Sequence, residues 1–152
     1  MRLVLSLVLF AVLFFLDQSI KTDFVNGYFY KGYFIDLSLV FNHGIAFSMF
    51  SEVGSKLKYI QLIIVLIAII FLIVRRDIFR KHYISISILF AGGLSNINDR
   101  FTYGGVVDYV HWHYLFNFAI FNLADVMIDF AIVLIIIVEY YGGRTKSSSY
   151  NF

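Results

Sequence analysis

Three aspartates stand where a carboxylate is unexpected. Asp108 follows Gly104-Gly105-Val106-Val107 and precedes Tyr109, while Asp125 and Asp129 interrupt an otherwise apolar run. A flexible turn followed by two β-branched residues holds a carboxylate firmly at the lip of an apolar region. In Phe121-Asn122-Leu123-Ala124-Asp125, Asn122 is placed to cap a helix, and Asp125 falls at its third position, where free amides and the helix dipole favour an anion. A plain reading makes Asp125 a capping-box acid and Asp108 a loop acid, and pattern alone leaves that reading open. An acid at mid-membrane costs about 2.5–3.5 kcal/mol on insertion scales, and two acids from different segments lower that cost by sharing a proton. Such a pair is also a catalyst. With like charges about 3 Å apart one carboxyl stays protonated; the ionised one draws a proton from water while the neutral one polarises a peptide carbonyl. Asp125 and Asp129 form a rival pair, four apart on one helix face, but helix rise sets them about 6 Å apart along the axis, too far for a tightly shared proton. Asp129 is expected to serve packing or proton relay.

The elements that must position these acids are membrane helices. At 61% hydrophobic and 14% charged residues, the 152-residue chain lies far from the soluble range of about 25% charged. The length suits one domain, and the absence of proline and cysteine excludes a Pro-rich linker, a disulfide framework and a Cys-based metal site. Scattered Lys and Arg and a net charge of +2 argue against nucleic acid as a partner. The expected fold is an all-α membrane protein with four transmembrane helices at about 3–20, 59–74, 83–94 and 122–138. The first apolar run, behind Arg2, has the arrangement of a cleavable signal peptide, but it ends in Asp17-Gln18-Ser19-Ile20-Lys21 with no small-residue cleavage site, so an uncleaved helix is expected. Ser85, Ser87, Gly92 and Gly93 mark the third as a span packed closely on its neighbours.

Arg75, Arg76, Arg80 and Lys81 between the second and third spans, and Arg144 and Lys146 in the tail, lie on the same side as Arg2 if there are four spans. Both termini are then cytoplasmic, and segments 21–58 and 95–118 share the outer face, although Lys56 and Lys58 weaken the charge bias. Asn26-Gly27 carries a hairpin signal among the aromatics Tyr28, Phe29, Tyr30, Tyr33 and Phe34, predicting a small sheet on the membrane surface. The tail Ser147-Ser148-Ser149 is polar and expected to fray.

Other polar residues near lipid need partners. Asn96, Asp99 and Arg100 gather where the third span ends, and Arg100 is placed to hold Asp99 in an ion pair, bracing the site or touching substrate. Asn42 and Asn122 offer amides able to orient a peptide or hold the acids. Asp17 and Lys21, one turn apart at a helix end, are expected to pair as structural support, as is Asp99. His111-Trp112-His113 has spacing that ligates zinc on a strand, but its neighbours Tyr109 and Tyr114 favour an interfacial aromatic belt. The serines lack a Gly-x-Ser-x-Gly context. A different class of reading is a non-enzymatic membrane subunit using Asp125 and Asp129 as a proton relay or helix-pairing site.

Taken in order, Asp17-Gln18-x-x-Lys21, Asn42-x-Gly44-x-Ala46-Phe47, Gly92-Gly93-x-x-Asn96-x-x-Asp99-Arg100, Val106-Val107-Asp108-Tyr109 and Phe121-Asn122-Leu123-Ala124-Asp125 resemble successive blocks of the lipoprotein signal peptidases, signal peptidase II. The resemblance covers about residues 17–129, with Ser95 where the family most often has glycine. It implies four helices with an outer-face β-cradle and an aspartic endopeptidase in which Asp108 and Asp125 are catalytic. Asn42, Gly44, Asn96, Arg100 and Asn122 would line the substrate site. The implied substrate is a prolipoprotein whose lipobox cysteine carries diacylglycerol, cut just before that cysteine without metal or other cofactor. The setting would be the bacterial cytoplasmic (inner) membrane, among membrane lipids, with the site towards the outer face.

Overall fold

Long runs of Leu, Ile, Val and Phe without proline leave the backbone to satisfy its own hydrogen bonds, which in an apolar surrounding means helix. A computed structural model describes residues 1–44 and 54–147; Ala46 and Phe47 of the second sequence block, and Ser148 and Ser149 of the tail, lie outside them. The described elements are α1 (Arg2–Val25), β1 (Tyr30–Lys31), β2 (Ile35–Asn42), α2 (Gly54–Val74), α3 (Arg76–Thr102), β3 (Val106–Trp112) and α4 (Leu123–Ser147). The strands form one antiparallel sheet in the order β1-β2-β3. α1 and α2 are long and apolar enough to cross a membrane.

The helix ends differ from expectation for identifiable reasons. α1 continues to Val25 because Asp17, Lys21 and Phe24 bury one face of it instead of turning out to solvent. Gly27, at φ +99°, closes it: Gly27 N donates to Phe24 O at 3.0 Å and Tyr28 N to Asp23 O at 3.0 Å. Asn26-Gly27 is therefore a helix cap and not the expected hairpin turn. The hairpin falls later, across 32–34, where Asp36 accepts from Gly32 N at 3.1 Å and Lys31 pairs with Asp36.

The basic stretch after α2 is not a linker either. α3 begins at Arg76, directly after Arg75, and a kink at His82 (φ −115°, ψ 19°) separates its first turns from the rest. Glu139 of α4 braces the kink, accepting from Lys81 Nζ at 2.6 Å and lying 2.6 Å from His82 Nε2. At its other end α3 runs to Thr102, so Asn96, Asp99 and Arg100 project from its last two turns.

α3 is the central helix, packed on α1, α2 and α4. Ile88 of α3 and Ala124, Met127 and Ala131 of α4 form a tight apolar seam, and at its top Gly92 lets the backbones meet. A Cβ on Gly92 would stand 2.5 Å from Ala124 O, whereas one on Gly93 would meet open space. Gly92→Ala is expected to cost about 1–3 kcal/mol by forcing α3 from α4, and Gly93→Ala to cost nothing and to gain up to about 1 kcal/mol from helix propensity; thermal unfolding in detergent reads both, and equal effects would contradict this packing.

The distribution of polarity is inverted relative to a protein that folds in water. On α2, Ile63, Ile64, Ile67 and Ile70 are 56–62% exposed, while Asp17, Lys21, Asp99, Arg100, Asp108 and Asn122 are buried. Hydrocarbon as the outer solvent accounts for both halves of that pattern.

Candidate active site

Asp108 sits in the middle of β3, opposite Val40 of β2, just past a register shift between Leu37 and Val40. The diagonal neighbour on the same face is Asn42, whose amide donates to Asp108 Oδ2 at 3.0 Å. The turn from α3 to β3 is short: Gly104 takes φ +78°, and a Cβ on Gly105 would crowd Asn42 O at 3.1 Å. Asp108 is thereby set back against the end of α3, almost fully buried.

Asp125 is positioned by the start of α4. Asn122 and Asp125 form a reciprocal capping box: Asp125 N donates to Asn122 Oδ1 at 2.9 Å, and Asn122 N donates to Asp125 Oδ2 at 3.1 Å. The second carboxylate oxygen accepts from the Asn96 amide at 2.8 Å. Asn122 joins the two acids, because its amide also donates to Asp108 Oδ1 at 2.7 Å. Asn122 thus caps α4 with its side-chain oxygen, meets the Asp108 carboxylate with its side-chain amide and meets the Asp125 carboxylate with its backbone N–H. Burial, and after it the charge on Asp125, push the Asp108 carboxyl up to about 7, against the pull of the Asn42 and Asn122 amides.

Beneath the acids lies a buried ionic cluster. Lys21 Nζ is 2.8 Å from Asp17 Oδ2 and 2.7 Å from Asp99 Oδ2, and it donates to Asn96 Oδ1 at 2.8 Å. Asn96 therefore spans the cluster and Asp125. Asp99 Oδ2 also accepts from Val107 N at 3.2 Å, tying β3 to α3 one residue before Asp108. The expected Arg100–Asp99 pair does not form: Lys21 takes Asp99, and Arg100 instead donates to Gly44 O. Arg100 is buried, and its Nε and Nη1 have no hydrogen-bond partner among the described residues. Gly44 N in turn donates to Asn42 Oδ1 at 3.0 Å.

The sequence profile described as Signal peptidase (SPase) II matches residues 9–141. The chain belongs to the signal peptidase II family. A Lipoprotein signal peptidase of Wolinella succinogenes is 51% identical over 85% of this chain and 88% of its own length. One from Helicobacter pylori is 45% identical over 90% and 89%. A solved bacterial membrane enzyme, determined by the in meso method at 2.3 Å resolution, superposes with a TM-score of 0.73 at 27% identity, covering 97% of this chain and 91% of that one.

Membership in this peptidase family sets aside the non-enzymatic reading of Asp125 and Asp129. Asp129 is also exposed on the outside of α4 and not packed within the bundle. In the His-x-His segment, His113 Nε2 lies 3.4 Å from Asp36 Oδ1, and Trp112 Nε1 donates to Tyr114 O at 2.8 Å.

Three supporting residues of this signal peptidase escaped the sequence reading. Gln18 donates to Asp99 Oδ1 at 2.8 Å and to Ser95 Oγ at 2.7 Å. Ser95 donates in turn to Asp17, tying α3 into the cluster. Tyr109 stacks on Phe24 with ring centroids 4.2 Å apart, and its hydroxyl accepts from Leu123 N at 3.1 Å, fixing β3 to the first turn of α4. A signal for Gln18 was present in its place beside Asp17 in the first block; for Tyr109 it was the adjacency to Asp108.

Proposed function

We propose that Asp108 and Asp125 are the catalytic pair of this aspartic endopeptidase. The chain is a lipoprotein signal peptidase, which removes signal peptides from prolipoproteins. The observation that carries the assignment is Asn122, which hydrogen-bonds both carboxylates at once. At neutral pH Asp108 is the acid that holds the proton, because burial and its neighbour's charge favour its neutral form. Asp125, which accepts from the Asn96 amide and from the Asn122 N–H at a helix N-terminus, takes the role of base in this reading. Asp125 takes a proton from water as the water oxygen bonds to the scissile carbonyl carbon, and Asp108 gives its proton to the carbonyl oxygen. As the tetrahedral species collapses, one of its hydroxyls returns a proton to Asp108 while the C–N bond breaks and the departing amine takes the proton held by Asp125.

Asn42, Gly44, Asn96, Arg100 and Asn122 line the approach in this reading. Arg100 supplies the open donors: with Nη2 on Gly44 O, its other nitrogens are available to a substrate carbonyl. Four spans, both termini cytoplasmic and the pair towards the outer face of the bacterial inner membrane form the proposed topology, supported by the basic residues at one end of the bundle. The substrate cysteine is proposed to carry diacylglycerol, with cleavage immediately before it.

The direct test incubates purified protein in detergent with a diacylglyceryl-modified prolipoprotein and with its unmodified form, locating the cut by mass spectrometry. Cleavage before the modified cysteine alone is expected; equal cleavage of both forms would remove the lipid requirement. The pH profile tests the roles. Since the Asp108 proton is required, kcat/KM should fall as pH rises through about 7, and a rate that is flat to pH ~9 would contradict the assignment of roles. Stability follows the same sign. The carboxyl binds its proton more tightly in the folded state, so its contribution is full below pH about 4 and lost as pH rises to about 7.

A further inference from the structure

At the end of the bundle away from the two acids, a cleft of about 1030 Å³ opens between α1, α2 and α3. Its walls are hydrocarbon, including Leu7 and Phe10 of α1, Ile69 and Leu72 of α2, and Phe90 and Leu94 of α3. Ser6 and Ser87 in the wall satisfy each other at 2.6 Å and offer little to a polar ligand. One end of the cleft is different in kind, because Arg2, Arg76 and Arg80 line it together.

The acids nearby do not neutralise these arginines. Asp77 pairs with Arg75 at 3.0 Å, and Glu139 is held by Lys81 and His82. Among the described residues no carboxylate pairs with Arg2, Arg76 or Arg80; Arg2 Nη1 donates to Arg80 O at 3.1 Å and Arg76 Nε to Ile73 O at 3.4 Å, both backbone acceptors. Three like charges gathered at one end of an apolar cleft favour an anion between them, and guanidinium groups match phosphate oxygens in planar, two-pronged contacts.

We infer that this cleft is a binding site for an anionic phospholipid, its phosphate among Arg2, Arg76 and Arg80 and an acyl chain lying along the wall between α1, α2 and α3. From Arg80 to Leu94 the wall follows helix for about 20 Å, the length of one extended fatty-acyl chain. The competing occupant, the helix of a signal peptide, fits the charge badly. Such a helix carries its basic flank at the cytoplasmic end, which would bring it against the three arginines. Basic pockets between membrane helices on that side suit anionic headgroups. The inference rests on the proposed membrane topology and not on the assignment of the catalytic pair.

The test reconstitutes the full chain in bilayers of equal parts phosphatidylglycerol and phosphatidylcholine, then measures retained lipid by native mass spectrometry after detergent extraction. Wild type should retain phosphatidylglycerol in preference. Arg2→Gln, Arg76→Gln and Arg80→Gln should each weaken it roughly fivefold, whereas Arg75→Gln, whose guanidinium is already engaged by Asp77, should not. Equal retention of the two lipids by wild type overturns the proposal without any variant, and so does a preference that survives all three substitutions. Complete displacement by glycerol phosphate would show an ion site without an acyl-chain site, and would equally overturn it. Prolipoprotein cleavage by the same samples keeps a failure of this site distinct from a failure of the peptidase reading.

Discussion

Asp108→Asn and Asp125→Asn will each lower prolipoprotein cleavage by about 10²–10⁴-fold, with the helical content retained. Asparagine keeps the shape of the side chain but neither gives nor takes a proton at the required step. The hydrogen bonds around each position predict a secondary cost. Asp108 accepts amide N–H groups on both oxygens, and Asp125 accepts one from Asn96 and one from Asn122 N. An introduced amide therefore turns one donor against another, at about 1–3 kcal/mol for the unmet group. A small fall in melting temperature beside a large fall in turnover is the expected signature. Asp129→Asn, on the exposed side of α4, should stay within about twofold of wild type, a change of about 0.4 kcal/mol or less. Full activity in Asp108→Asn would end the two-aspartate assignment.

Lys21→Met is expected to produce the largest loss of stability, about 3–5 kcal/mol, because it leaves Asp17 and Asp99 buried without a countercharge. Burying one ammonium among two carboxylates is tolerable only while the charges are matched by partners; Gln18, Ser95 and Asn96 supply hydrogen bonds to the cluster, and Asp17 Oδ1 alone of its carboxylate oxygens has none among the described residues. Combining Lys21→Met with Asp17→Asn and Asp99→Asn should recover much of the loss, since no uncompensated charge then remains. Activity should recover less, because Asp99 also holds Val107 beside Asp108. Unfolding followed by circular dichroism in detergent distinguishes the cases; a Lys21→Met protein as stable as wild type would show that the cluster does not hold the bundle.

The surroundings of the proposed pair were legible where local geometry is short-range. Asn122 and Asp125 stand at the spacing of a capping box, which the structure forms, and the pattern around Asp108 is local to five residues, whereas the pairing of the two acids came from the resemblance to the family. Long apolar runs were equally plain, because hydrocarbon tolerates few interruptions. What failed were readings in which a local signal serves two structures. A positive-φ glycine closes helices as readily as it turns hairpins, hence Asn26-Gly27. Arg and Lys end a membrane span but are good helix formers, hence a helix from Arg76 where the third span was expected to start only at about 83. The pairing of Asp99 with Arg100 failed for a geometric reason. Adjacent helical residues point about 100° apart, so Arg100 faces Gly44 while Asp99 meets a lysine from a helix 78 positions earlier in the chain. No spacing rule within one segment can report such a partner.

An interior of charges and amides beneath a hydrocarbon exterior inverts the usual map of mutational tolerance. On α2 one branched aliphatic side chain is as good as another, since the exposed Ile63, Ile67 and Ile70 meet fluid that has no shape to match. Inside, Lys21, Asp99 and Asn122 admit almost no neighbouring chemistry, because each exchange strands a hydrogen-bond partner that no water can reach. Sequence drift in such a protein is a matter of its skin, and a library of random substitutions should find its neutral variants on the lipid face and its lethal ones among the polar few within.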